Sequence, residues 1–152
     1  MTYEELLIEN EHLNIQEMDF SEVVGLKGLY FDGNIGIDKN LTSIEKNCVL
    51  SEELGHHHTS YGDTLDQNAI STIKQEYRAR IYGYNLAIGL DGIIQCFEYG
   101  CRNRYEMAEY LNVTEQFLED ALEKYHYKYG SYTIYGKYII YFEPNLTVLK
   151  MK

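Results

Sequence analysis

The pattern that most limits what this chain can fold into lies between residues 66 and 88, where two helical faces share one stretch. Ile70, Ile73, Tyr77, Ile81, Tyr84 and Ile88 recur at helical spacing, and such a row makes an apolar stripe that has to be buried. Ala69, Ala79, Gly83 and Ala87 mark a second face, which they share with Glu76. Small side chains on one face let a helix axis come unusually close to its neighbour. A lone carboxylate on such a face is poorly explained by solvation and well explained by a group reaching across a tight helix pair. The spacing predicts a long helix from about Asp66 to Ala87, packed hard against a second one.

The preceding segment supplies that second helix. Thr42 and Glu45 form a capping box, the signature of a helix start. The helix then runs through Ile44, Val49 and Leu54 to about His58 and carries Glu52-Glu53-Leu54-Gly55-His56. This is the zinc-protease pattern His-Glu-x-x-His with glutamate at its first position. In the intact pattern two ligands four residues apart share a helix face and the glutamate between them activates water. Glu52 and His56 keep that spacing, Glu53 stands where the general base belongs, and Gly55 would let the other helix approach.

A hydrolytic zinc site takes three protein ligands and leaves one position open. Glu52 and His56 provide two, and Glu76 on the long helix is the candidate third. Asp63 is a rival third ligand, because the Gly62 turn could fold it back toward the motif helix. Two carboxylates make a harder donor set than two imidazoles, so Mn2+ or Fe2+ stands beside Zn2+. Taken alone, a Glu-Glu pair is usually a solvated stretch of helix. Its coincidence with Gly55, His56 and Glu76 moves the balance toward a site. His57 and His58 point about 100° apart from their neighbours and read as flanking residues, while His12 and His126 read as surface or packing histidines.

Elsewhere the pattern is that of an α+β domain. Thr2 and Glu5 cap a short opening helix. Gly28-Leu29-Tyr30-Phe31 and Ile35-Gly36-Ile37 flank Asp32-Gly33-Asn34, which predicts a small antiparallel N-terminal hairpin. Gly89 and Asp91-Gly92 should end the long helix, two or three shorter helices should follow between Ile93 and Tyr129, and Ser131–Ile134 with Tyr138–Phe142 predicts a C-terminal hairpin. With no linker or repeat, residues 1–152 read as one domain.

A formal charge of −11 argues against direct binding of nucleic acid or anionic lipid and favours a basic protein partner. Residues 105–124 have the spacing of a DNA-reading helix-turn-helix. They hold six acidic side chains, and only Lys124 and the adjacent Arg104 are basic, so the segment reads instead as a helical hairpin. Cys48, Cys96 and Cys101 lack a paired-ligand spacing, Glu4 and Glu5 occupy the place of a signal peptide's apolar run, and no stretch has the length of a membrane span. A cytoplasmic protein with three free thiols is the expectation.

Gly28-Leu29-Tyr30-Phe31-Asp32, Cys48-Val49-Leu50-Ser51-Glu52-Glu53-Leu54-Gly55-His56 and Gln75-Glu76-Tyr77-Arg78-Ala79-Arg80 together resemble the ImmA/IrrE family of metallopeptidases, in its subgroup encoded by phages and other mobile elements. The resemblance covers about Gly28 to Tyr129. It implies a mainly helical, zincin-like fold and zinc-dependent endopeptidase activity against a helix-turn-helix repressor. It matches His56 and Glu76 to metal ligands and Glu53 to the catalytic glutamate, whereas Glu52 replaces the family's usual histidine. That replacement keeps two alternatives open, a catalytically silent antirepressor and a metal-binding interaction module.

Overall fold

The computed structural model describes residues 1–59 and 69–152, which form two compact units, Met1–Ala87 and Ile88–Lys152. Asp63, the Gly62 turn and the expected start of the long helix at Asp66 lie outside the described residues.

In the first unit, α1 (Tyr3–Glu9) is followed by β1 (Asn14–Met18), β2 (Gly28–Phe31) and β3 (Asn34–Asp38), and then by α2 (Ser43–Thr59) and α3 (Ala69–Ala87). Both capping boxes form. The Glu5 N–H donates to Thr2 Oγ1 at 3.2 Å and the Thr2 N–H to Glu5 Oε2 at 2.8 Å. At the start of α2, the Glu45 N–H donates to Thr42 Oγ1 at 3.1 Å and the Thr42 N–H to Glu45 Oε1 at 3.1 Å. The β2–β3 hairpin turns on Asp32 and Gly33, whose φ values of 49° and 77° belong to a two-residue turn that fits the strand twist. The register pairs Phe31 with Asn34 and Tyr30 with Ile35.

The α+β class stands, and the N-terminal sheet is larger than the expected hairpin. It is also mixed, in the order β1-β3-β2, with β1 parallel to β3. Asn14-Ile15-Gln16-Glu17-Met18 hides this strand from a reading by alternation, because only Ile15 in it is even partly buried. Ile35 and Ile37 of β3 turn into the core with Tyr3, Leu6, Val49, Leu50 and Leu54. The sheet and α1 therefore lie over one face of α2.

The other face of α2 meets α3. A Cβ placed on Gly55 would overlap the Ala79 carbonyl oxygen and stand 3.0 Å from its carbon, and one on Gly83 would stand 2.8 Å from the Ser51 carbonyl oxygen. No real Cβ fits at such distances, so the two backbones touch where glycine allows it. Residue 55 lies at 79–83 and residue 51 at 83, so the helices run antiparallel. Ile81 and Tyr84 of the predicted stripe are buried, but Ile73 is 69 % exposed. It sits on the part of α3 beyond the reach of α2, which ends at Thr59.

The second unit contains α4 (Gly89–Tyr99), α5 (Arg104–Leu111), α6 (Glu115–Tyr129), β4 (Tyr132–Tyr135), β5 (Tyr138–Tyr141) and β6 (Thr147–Lys150). Asp91-Gly92, expected to break a helix, lies in the first turn of α4, where Gly92 makes room for Leu111. The C-terminal hairpin gains β6 as a third, antiparallel strand. Asn112 in the left-handed region and the Thr114 cap connect α5 to α6. Phe117, Leu118, Ala121, Leu122 and Tyr125 line the buried face of α6.

The α2–α3 contact makes a direct prediction. Gly55→Ala drives a methyl group into backbone, so it should cost at least about 3 kcal/mol, a fall in Tm of roughly 10 °C. A thermal melt with an unchanged midpoint would show that the helices are not in backbone contact.

Candidate functional site

The close approach of α2 and α3 brings His56 and Glu76 to one seam. His56 lies on the turn of α2 that contains Gly55, and Glu76 lies one turn before Ala79 on α3. His56 Nε2 and Glu76 Oε2 are 3.9 Å apart. That is too long for a hydrogen bond. Two ligands at about 2.1 Å from a tetrahedral zinc are roughly 3.4 Å apart, so a small side-chain rotation closes the difference. An imidazole nitrogen and a carboxylate oxygen facing each other at this spacing fit a divalent cation in donor type and in reach.

Glu52 is in the same seam. Its Cα is 3.2 Å from the position of a Cβ on Gly83, and its charge is felt by both Glu53 and Arg80. Among the described residues, no three His, Cys, Asp or Glu side chains are already gathered closely enough to hold an ion. The structure thus pairs His56 with Glu76 and places Glu52 nearby, short of a closed triad. Asp63, the rival third ligand, falls outside the described residues.

Glu53 faces β2. A Cβ on Gly28 would overlap Val49 and stand 3.1 Å from Glu53 Oε1, so the start of β2 lies directly over this carboxylate. Burial, with the nearby carboxylates of Glu52 and Glu76, pushes the Glu53 pKa up from 4.5 to about 7. A carboxyl group that titrates near neutrality can both accept and return a proton. β2 is an edge strand of its sheet.

The flanking histidines have other partners. His57 Nδ1 is 3.2 Å from the Tyr30 hydroxyl, and His58 stacks on Tyr82 with ring centroids 4.7 Å apart. Burial, followed by His57 and His12, lowers the His58 pKa. His126 pairs with Glu143 in the second unit.

Arg80 is a site neighbour that motif reading missed. Its Nε donates to Glu76 Oε1 at 3.1 Å, which leaves Oε2 turned toward His56. Burial works against the Arg80 charge, but a hydrogen bond with the buried Tyr84 and the carboxylates of Glu76 and Glu52 outweigh it and raise its pKa. Glu76, Arg80 and Tyr84 follow one another at i, i+4 intervals, and that spacing is the signal that could have revealed the chain. Gly28 gave no such signal, because its role depends on a strand crossing α2.

The IrrE N-terminal-like domain, a peptidase family, matches this chain over residues 8–123. No curated protein and no solved structure matches it. Among the described residues, no helix is long and apolar enough to cross a membrane.

The raised Glu53 pKa has a measurable consequence in metal-free protein. The fold favours protonated Glu53, so this contribution to stability is complete below about pH 4.5 and is lost as pH rises through about 7. Glu53→Gln stays neutral throughout. In the presence of chelator, its stability relative to wild type should therefore improve between those pH values by on the order of 2 kcal/mol and then level off. A difference that is constant from pH 4 to 8 would rule out the buried, crowded carboxylate.

Proposed function

The chain belongs to the IrrE N-terminal-like peptidase family, and from that premise we propose that it is a metal-dependent endopeptidase whose site is the α2–α3 seam. The observation that carries this reading is the 3.9 Å approach of His56 to Glu76, with a carboxyl group tuned near neutrality one helical turn away. In this reading Glu52, His56 and Glu76 hold the ion, Zn2+ by family habit, with Mn2+ or Fe2+ favoured by the two carboxylates. When bound, the ion would supply Lewis-acid polarisation and a more acidic water.

The chain's own groups do the rest. The edge of β2 aligns an extended peptide over Glu53. Glu53 takes a proton from the attacking water and returns it to the departing amine, and its pKa near 7 suits both transfers. Arg80, braced by Tyr84, fixes the Glu76 carboxylate so that one oxygen remains directed at His56, as carboxylates around metal sites are commonly held. The proposed substrate is a helix-turn-helix repressor of a phage or other mobile element. The formal charge of −11 suits a basic, DNA-binding partner, because complementary charge speeds encounter.

One observation favours a second reading. Arg80 forms an ion pair with Glu76, and Glu52 also contributes to its field. These carboxylates would then serve as a salt cluster in a catalytically silent antirepressor that acts by binding alone.

The test uses purified protein loaded with Zn2+ or Mn2+ and, as substrate, a helix-turn-helix repressor whose gene is found next to this one. Wild type should cleave that repressor, and Glu53→Gln should lower the rate by a factor of about 100 or more while retaining the metal. A Glu53→Gln variant that relieves repression as well as wild type would establish the silent reading. Arg80→Ala should weaken metal binding by about 10-fold or more, and Arg80→Lys should restore part of it. Equal metal affinity in all three proteins would remove Arg80 from the positioning role.

A further inference from the structure

Cys96 and Cys101 sit at the two ends of the turn that closes α4. The Cys101 N–H donates to the Cys96 carbonyl at 3.0 Å, and the Gly100 N–H donates to the Phe97 carbonyl at 3.1 Å. Gly100 has φ 98°. This pair of bonds around a left-handed glycine is the Schellman ending, in which side chains near the two ends of the turn usually make an apolar contact. Here both end positions carry thiols, and the thiols are in hydrogen-bonding contact.

The backbone also sets the distance. A 3.0 Å bond from Cys101 N to Cys96 O holds the two Cα atoms within about 7 Å of each other. Disulfides span roughly 4.4–6.8 Å between Cα atoms. Cys48 lies on α2, in the other unit.

We infer that Cys96 and Cys101 form an oxidisable dithiol that a hydroperoxide converts into a disulfide across the end of α4. The two thiols differ in access. Cys96 is 1 % exposed, and its Sγ–H is directed at the Met107 carbonyl 4.0 Å away. Burial, with Cys101 beside it, pushes its pKa up to about 12. Cys101 is partly exposed and opens onto a cleft of about 310 Å³ lined by Tyr99, Glu106, Glu109 and Tyr110, large enough to admit a small peroxide.

Cys101 therefore reacts first. Its thiolate attacks the terminal peroxide oxygen, so that an S–O bond forms, the O–O bond breaks, and the departing alkoxide takes up a proton as an alcohol. The Cys96 sulfur then attacks the Cys101 sulfenic acid. An S–S bond forms, the S–O bond breaks, and the released hydroxide leaves as water with the Cys96 proton. Two thiols have lost two hydrogens, and the hydroperoxide has been reduced to alcohol and water. The disulfide replaces the Cys96–Met107 contact and fixes the corner between α4 and α5.

The full-length protein is treated with tert-butyl hydroperoxide, alkylated and digested with trypsin. Residues 81–102 contain no internal Lys or Arg, so both cysteines fall on one peptide and Cys48 falls on another. The expected result is a peptide lighter by two hydrogens, restored by dithiothreitol, with the thiol count in denaturant falling from three to one. Cys101→Ser should abolish the loss of two hydrogens, and Cys48→Ser should leave it unchanged. Oxygen adducts on Cys101 without loss of two hydrogens, or a disulfide-linked dimer in its place, would overturn the inference. Because these readings need neither metal nor substrate, they stand or fall independently of the peptidase reading.

Discussion

The structure of the first unit depends on one steric fact, the backbone contact between α2 and α3 at Gly55, Ala79, Gly83 and Ser51. Helices with ordinary side chains at their crossing lie some 8–10 Å apart, and any side chain at Gly55 or Gly83 would push this pair outward. Because the pair is so close, short side chains are enough to connect the helices. His56 and Glu76 approach each other one turn along from the contact, and Glu52 sits beside Gly83. The glycines that look like weak points in two helices are what brings the polar groups within reach.

That closeness has an electrostatic cost. Glu52 and Glu76 share the seam, and Glu53, beneath the start of β2, is close enough for its proton to feel both carboxylates. The protein offsets the crowding in two visible ways. Glu53 retains its proton to near neutrality, and Arg80 supplies a positive charge that Tyr84 holds in place. A divalent cation would be a third, stronger compensation, and the unclosed 3.9 Å gap between His56 and Glu76 leaves room for it. Replacing the usual first histidine by Glu52 adds to the negative charge, which raises the demand for such a cation and favours harder metals.

Much of this was legible in the sequence, and what was not follows a physical pattern. Both capping boxes, the Asp32-Gly33 turn and the extent of α2 are encoded by neighbours a few residues apart, and they form as the sequence implies. The small-residue face of α3 announced the tight helix pair, because only a close partner explains Ala79 and Gly83 in register. β1 was hidden because Gln16, Glu17 and Met18 are solvent-facing and the strand owes its existence to β3. β6 was missed similarly, since its partner β5 alone makes it a strand. The Gly28 contact with Glu53 and the proximity of Cys96 to Cys101 needed the folded backbone. Arg80 was within reach of a simple i, i+4 reading from Glu76 that attention to the metal motif passed over.

The account rests on His56 and Glu76 being ligands of one ion, and the most direct test is anomalous diffraction from crystals grown with Zn2+ or Mn2+. The account predicts a single strong peak in the seam, about 2.0–2.2 Å from both His56 Nε2 and a Glu76 carboxylate oxygen, with Glu52 turned in to meet it. A metal-saturated crystal with His56 and Glu76 unligated, and Arg80 still paired to Glu76, would contradict it.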